Sequence, residues 1–422
     1  MEKETIGIHY GYDNKKGERT MASPIYQTTA YSFKDAKQAA DLFALKELGS
    51  IYTRLNNPTT DVFESRFAAY EGGAGAVATS SGMAALFNSI ANVAESGDNI
   101  LISDKLYGGT VTLCMHTLKR FGIEARTFSN DNAEDLESLI DEKTKTIIFE
   151  SLSNPQISIP DIEKIVQIAT KHKIITICDN TVASAALFNP IKWGVDIVVH
   201  STSKYTIGQG TALGGIIIER AKLVELIKDN PRYYHFNEPD ESYHGLVYSD
   251  VPLPLFTLRV RLALIRDIGT APSPFNSWLL TQGLETLNIR MKKHSENALE
   301  VARFLSKHSK VKKVFYPGLT SDLMHQKAQK YFKEGLSSGL LGFEVEDFDE
   351  AVKVINGTKI FTIVVNIGDS KSIITHPAST THQQLSSEEL KKAGINPSLI
   401  RLSIGLEDSK DLIGDLSQAL GE

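Results

Sequence analysis

The sequence predicts an α/β protein: a mainly parallel sheet covered by helices on both faces, followed by a smaller α+β domain. Three observations carry this. Apolar runs at 99–103, 144–151, 174–180, 196–200 and 214–219 alternate with stretches of helical character. The runs are nearly continuous in apolar and β-branched residues, the pattern of strands buried on both faces. The polar residues with chemical potential, Ser81, Tyr107, Asn154, Asp179 and Lys204, follow the ends of runs or turns, where open α/β sheets hold ligands.

Composition sets the outer bounds. A chain of 422 residues with 41% hydrophobic and 23% charged residues is globular and long enough for two or three domains. Lys plus Arg is 45 against 51 for Asp plus Glu, a net charge of −6, which offers no general attraction to nucleic acid or anionic membrane. No apolar run approaches the roughly 18 residues of a membrane span. The opening MEKETIGIHYGYDNKK carries no apolar core of signal-peptide length. Cys114 and Cys178 form no C-x-x-C pair, so neither a disulfide framework nor a zinc site is expected. These features place the protein in the cytoplasm, with no metal.

In chain order, residues 1–60 read as an irregular arm, with Pro24, Pro58 and scattered tyrosines. The aromatic and arginine content of YTRLNNPTT (Tyr52 to Thr60) suits an arm that lies across another surface better than a disordered tail. A helix is expected from about Asp61, capped by Asp61 and carrying Phe63, Phe67 and Tyr70 on its apolar face. Ala76 to Ala78 reads as a strand, Ser80 to Gly82 as a turn, and Met83 to Val93 as a helix. Small residues at that helix start would leave free N–H groups for an anion. Helices are expected around Thr110 to Phe121 and Ile162 to His172, between the strands already named. Residues 228–275, rich in Pro, Tyr and His without clear periodicity, read as a long insertion narrowing the entrance to a site. A long amphipathic helix over 283–308 then leads to short strands in VKKVFYP, GLLGFEVED and IRLSIGLED. The domain limits expected are 1–60 for the arm, 61–275 for the large domain and 276–422 for the C-terminal domain.

The run DIVVHSTSKYTIGQGTALGG (196–215) sets Lys204 just past a buried strand, with hydroxyls before it and glycines behind it. An isolated S-x-S-K is more often a solvated turn, so the rest of the chain has to carry the argument. Asp179 ends a strand 25 residues earlier. A lysine nucleophile, a carboxylate for a pyridine nitrogen and a phosphate cup together are what pyridoxal phosphate requires. Ser81-Gly82 at a helix start with Ser201 and Ser203 would form the cup. Tyr107 could stack on the ring, and Arg401 could hold an amino-acid carboxylate bidentately. A dinucleotide fingerprint at Gly208-x-Gly210 fails, because it leads into the strand GGIIIE and not into a helix. A silent regulator that keeps only the fold is disfavoured by intact Lys204, Asp179 and Arg401.

The motifs YTRLNNPT, TSSGMAAL, YGGT, ESLSNP, DNTVAS, HSTSKY, HPASTTH and RLSIGLED occur in the order and spacing of the cystathionine γ-synthase-like pyridoxal phosphate enzymes. The chain resembles that family from about residue 5 to its end. The resemblance implies fold type I and a homotetramer built from dimers with shared active sites. It implies that Lys204 carries the cofactor and, with Tyr107, forms the catalytic pair, and that Asp179 meets the ring nitrogen. Asn154 would donate to the phenolic oxygen, and Gly82, Met83, Ser201 and Ser203 would bind the phosphate. Tyr52 and Arg54 would complete the cup of the neighbouring subunit, and Arg401 would take the substrate carboxylate. His376 to His382 match a motif lining the site, with no chemical step attached.

Within that family, the 228–275 segment and its LRVRLALIRDIGTAPSPFNSWL end resemble the O-acetylhomoserine sulfhydrylases, which make homocysteine from O-acetyl-L-homoserine and sulfide. Asn366, read as substrate-binding, stands where lyases and cystathionine synthases commonly have serine. Gly109 stands where methionine γ-lyases place a cysteine. Cystathionine γ-synthase and methionine γ-lyase are the alternatives.

Overall fold

The computed structural model describes residues 1–380, 383 and 394–421. Among these, seven strands form the large sheet: β1 (Gly75–Thr79), β2 (Asn99–Ser103), β3 (Glu124–Phe128), β4 (Thr144–Glu150), β5 (Ile175–Asp179), β6 (Ile197–Ser201) and β7 (Gly215–Glu219). Their order is β1-β7-β6-β5-β4-β2-β3; β7 runs antiparallel to both β1 and β6, and the other pairs are parallel. Successive side chains enter different cores, as the period of two requires. Cys178 and Val198 pack on one face with Phe63, Phe67 and Ile165. Ile177 and Val199 pack on the other with Leu86, Ile90 and Phe256. That two-sided burial is why the strands read as unbroken apolar runs.

Register brings the reactive residues to one edge. Gly215 pairs with both Thr79 and Ser201, and Asp179 is in register with Val199 and with Glu150. The carboxyl ends of β1, β4, β5 and β6 therefore open on the same side.

The arm is more ordered than its composition suggests. Helix α1 (Lys3–His9) packs on its own chain: Lys3 donates to Asn189 Oδ1 at 2.7 Å, and Arg66 Nε donates to the Tyr10 carbonyl at 2.7 Å. Helix α2 (Ala36–Phe43) is capped by Asp35. Helix α3 (Pro58–Glu71) starts three residues before the expected point, because Asn57 is the cap and accepts from Thr59 N–H while Pro58 takes the first helical position. Asp61 lies in its first turn. Helix α4 (Gly82–Ala91) follows β1 as read.

The segment 228–275 does not narrow the site. Tyr233, Phe236, Tyr248 and Phe256 are fully buried in the core behind the sheet, and Tyr233 hydroxyl donates to the Lys145 carbonyl and accepts from Ile175 N–H. Each such side chain stabilises by about 1.5–3 kcal/mol, more than a mobile flap could forgo. The irregular sequence folds as short 3₁₀ and α turns because aromatic anchors, not periodicity, fix it.

The expected 283–308 helix is two helices, Pro274–Glu285 and Leu287–Leu305, broken at Thr286. Buried Arg290 accounts for the break: its guanidinium takes the Gly283 carbonyl at 2.7 Å and Thr286 Oγ1 at 3.2 Å. The same group holds the carbonyls of Tyr205 and Thr206 at 2.6 and 2.9 Å, which anchors the turn after Lys204. Leu287 and Met291 belong to the large-sheet core, while Ala298, Val301 and Leu305 belong to a third core. That core covers a second sheet of β8 (Lys313–Phe315), β9 (Leu340–Glu344), β10 (Thr362–Ile363), β11 (Ile373–Thr375) and β12 (Leu399–Ser403), in the order β10-β11-β12-β9-β8.

Candidate active site

The edge where the parallel strands end borders a cavity of about 240 Å3. Ser81, Gly82 and Met83 enter from the start of α4, Asp179 and Ser201 from strand ends, Lys204 from the turn after β6, and Asn366 and Arg401 from the second sheet's side. Tyr107 and Asn154 complete the wall. Eleven of the residues assigned to the site from the sequence, Ser203 among them, thus meet in one cavity.

Lys204 Nζ donates to Asn366 Oδ1 at 2.6 Å. Burial, and then the Arg401 charge, hold its amine below the ordinary lysine value. Both causes favour the neutral, nucleophilic form. Arg401 is buried on β12 and donates to Asn154 Oδ1 at 3.0 Å, to the Asn366 carbonyl at 3.1 Å and to Thr375 Oγ1 at 3.3 Å. Its Nε is buried with no hydrogen-bond partner among the described residues. Burial lowers its guanidinium to about 10. A buried cation with no carboxylate among its described partners is costly, and an anion entering the cavity that Arg401 lines would offset that cost.

Asp179 Oδ1 accepts from Thr181 N–H at 2.9 Å and from Thr181 Oγ1. Burial raises its carboxyl above the usual range, against the lowering by Thr181 and by His200. His200 sits on the opposite face of β6, bonded to buried Glu71 at 2.8 Å. Asp179 therefore awaits a positive partner from the cavity.

The turn before α4 has the features of an anion cup. Ser81 caps the helix by accepting from Ala84 N–H at 3.1 Å, which leaves the N–H groups of Gly82 and Met83 first in the helix with no intrahelical acceptor. A β-carbon at Gly82 would lie 2.5 Å from Ser201 Cβ, so only glycine lets the turn reach β6. Thr270 supports the turn from behind, its carbonyl accepting from Ser80 N–H at 2.8 Å. Ser203 hydroxyl accepts from Gly214 N–H at 2.9 Å and donates to the Gly214 carbonyl at 3.2 Å, so it holds the glycine loop while lining the cavity. Tyr107 is 39% exposed, its ring at the cavity wall. Gly109 permits that pose, since a β-carbon there would meet Tyr107 Cε1 at 2.6 Å.

A lysine of lowered proton affinity, a buried carboxylate short of a cation and a helix-start cup suit pyridoxal phosphate as a set. Asn154 fits too: its Oδ1 is taken by Arg401, which leaves its amide N–H groups as donors.

Tyr52 and Arg54 are not in this cavity. They border another hollow with Gly269 and Ala271, Arg54 lies over the Tyr52 ring at 4.9 Å, and its Nε donates to the Arg266 carbonyl at 2.9 Å. His376 does not line the site either; its ring bonds Ser379 Oγ at 2.8 Å and the Pro397 carbonyl at 2.7 Å, bracing the approach to β12. His382 lies outside the described residues. Sequence reasoning missed Glu150 and Thr181, which also line the cavity. Their only signal was position, at or just past the carboxyl end of a buried strand.

Comparison with known proteins agrees with this chemistry. The family model for Cys/Met metabolism PLP-dependent enzymes matches residues 4–421. An O-acetyl-L-homoserine sulfhydrylase of Leptospira meyeri is 44% identical, covering 100% of this chain and 97% of its own. A homocysteine/cysteine synthase of Saccharomyces cerevisiae is 42% identical over 99% of this chain and 97% of its own. A Campylobacter jejuni crystal structure, assigned as an O-acetylhomoserine (thiol)-lyase and carrying N'-pyridoxyl-lysine-5'-monophosphate, superposes with a TM-score of 0.98 at 55% identity, covering 100% of both chains.

Proposed function

The chain belongs to the Cys/Met metabolism PLP-dependent enzymes, and from that premise we propose that it is an O-acetylhomoserine sulfhydrylase, converting O-acetyl-L-homoserine and sulfide to L-homocysteine and acetate. The names and coverage of its relatives support the reaction. The observation that carries the site assignment is the convergence of Lys204, Asp179 and Arg401 on one cavity.

Bound pyridoxal phosphate supplies an electron sink for charge developing on amino-acid carbons. Lys204 would hold the group through Nζ and, once released, carry protons at that atom; Asn366 Oδ1 is its resting acceptor. Asp179 would keep the ring nitrogen protonated, Tyr107 would stack on the ring, and Asn154 would donate to the phenolic oxygen. The N–H groups of Gly82 and Met83, with the hydroxyls of Ser201 and Ser203, would take the phosphate. Arg401 would bind the substrate carboxylate and so orient Cα toward Lys204. Sulfide needs no recognition group, which agrees with a cavity to which the described residues of this chain bring a single arginine.

Tyr52 and Arg54 serve a second subunit in this proposal, as part of a homotetramer of dimers in the cytoplasm. Their place in a hollow other than that of their own Lys204 and the exposed apolar residues of the arm, Met21, Tyr26 and Leu48, support that reading. The proposed division is an arm (1–60), a cofactor domain (61–275) and a C-terminal domain (276–422). The chain has no described helix long and apolar enough to cross a membrane. Borohydride reduction of the purified yellow protein, followed by peptide mapping, tests the assignment: the pyridoxyl label should sit on Lys204, and a label elsewhere or none would refute it.

A further inference from the structure

Glu150 closes β4 and has no part in the reaction described above, yet it is one of the most constrained groups in the cavity. It is 4% exposed, and among the described residues no cation offsets it. It stands in register beside Asp179 on the next parallel strand, and both line the cavity. Two carboxyls side by side in a buried wall are unfavourable, and burial with the Asp179 charge pushes the Glu150 carboxyl up. What it gains is two hydrogen bonds: Tyr107 N–H donates to Oε1 at 2.6 Å, and Asn154 N–H donates to Oε2 at 3.2 Å. Those donors belong to two loops, one after β2 and one after β4, with no backbone hydrogen bond between them among the described residues.

We propose that Glu150 is a positioning residue that clamps the Tyr107 and Asn154 backbones together, setting the ring-stacking tyrosine and the amide donor at one fixed separation around the cofactor. A carboxyl is needed because it presents two divergent acceptors. Glutamine offers one acceptor and turns an NH2 group toward the other N–H, and aspartate is one methylene short of the loops. The clamp acts through Tyr107 and Asn154 and touches no reacting atom. The inference rests on the cavity being a pyridoxal phosphate site, and the test separates the two ideas.

The experiment compares wild type, Glu150→Gln and Glu150→Asp as holoenzymes by visible circular dichroism of bound pyridoxal phosphate and by its dissociation constant. Both variants should lose at least half of the visible signal and bind the cofactor about tenfold more weakly, with far-ultraviolet spectra unchanged. In a Tyr107→Ala background, Glu150→Gln should cost less than half as much signal, because the ring it positions is already gone. Glu219→Gln is the control: Glu219 is an equally buried carboxyl, bonded to Thr257 at the far end of the sheet. It should lower the melting temperature and leave the visible signal alone. An unchanged signal in Glu150→Gln, a normal one in Glu150→Asp, or full additivity with Tyr107→Ala would overturn the clamp. A wild type that takes up no cofactor would overturn the reading of the site, and the clamp with it.

Discussion

Lys204 loses its proton more readily than lysine in water because its amine is mostly buried and faces the Arg401 guanidinium. The neutral form attacks pyridoxal phosphate, so the rate of holoenzyme formation from stripped protein and cofactor should rise with pH through a midpoint below the ordinary 10.5. Removing the nearby positive charge in Arg401→Gln should move that midpoint up. A wild-type midpoint at 10.5, or no movement in the variant, would contradict the account. Asp179 makes a second case. Burial disfavours its charged form and the Thr181 hydrogen bonds favour it, so a cationic ring nitrogen, in the role proposed for it, would complete the site, and Asp179→Asn should cut kcat by about 100-fold or more. Its cofactor affinity should change far less, because the phosphate cup and Lys204 are intact. Equal losses in both quantities would make Asp179 a simple anchor.

The strand–turn–helix of β1 and α4 shows how far local pattern reached. Its small residues were legible as an anion site, since Ser81 is a recognisable cap and the apolar helix follows at once. The reason for glycine at position 82 was not, because Ser201 lies 119 positions away in sequence and meets the turn only through β7. Gly82→Ala should force the backbones apart, costing about 1–3 kcal/mol, and weaken pyridoxal phosphate binding about tenfold or more by titration. Binding within twofold of wild type would show that the cup does not depend on this contact. Six of the seven strands of the large sheet were read almost to the residue, since two-sided burial leaves a strong apolar signature; the edge strand β3 escaped, because its Glu124, Arg126 and Thr127 are polar and only Phe128 is fully buried. The break at Thr286 and the packing of 228–275 escaped, because each depends on one side chain meeting a distant backbone: Arg290 on Gly283 and Tyr205, Tyr233 on Lys145. Glu150 escaped for the same reason, its two partners lying on separate loops.

At the scale of the molecule, we propose that the arm serves the site of a neighbouring subunit. Lys3 and Arg66 tie α1 to its own subunit, while Tyr52 and Arg54 are held away from their own Lys204 cavity. Hybrids of Lys204→Ala and Arg54→Ala subunits should therefore regain activity, since one site in each mixed dimer has both residues intact. Subunit exchange verified by mass spectrometry with no recovery would contradict shared sites. The central claim is the reaction, and one assay tests it most directly: the purified holoenzyme offered O-acetyl-L-homoserine with sulfide, O-acetyl-L-homoserine with cysteine, and methionine alone. Among the described residues of this chain Arg401 is the one arginine lining the cavity; with the first substrate on it, as proposed, and Arg54 of the neighbour on the phosphate, an acceptor that brings a second carboxylate would have no partner there. The account predicts fast homocysteine formation from sulfide, much slower cystathionine formation from cysteine, and little 2-oxobutyrate from methionine. Cysteine as the better acceptor, or rapid release of 2-oxobutyrate from methionine, would contradict it.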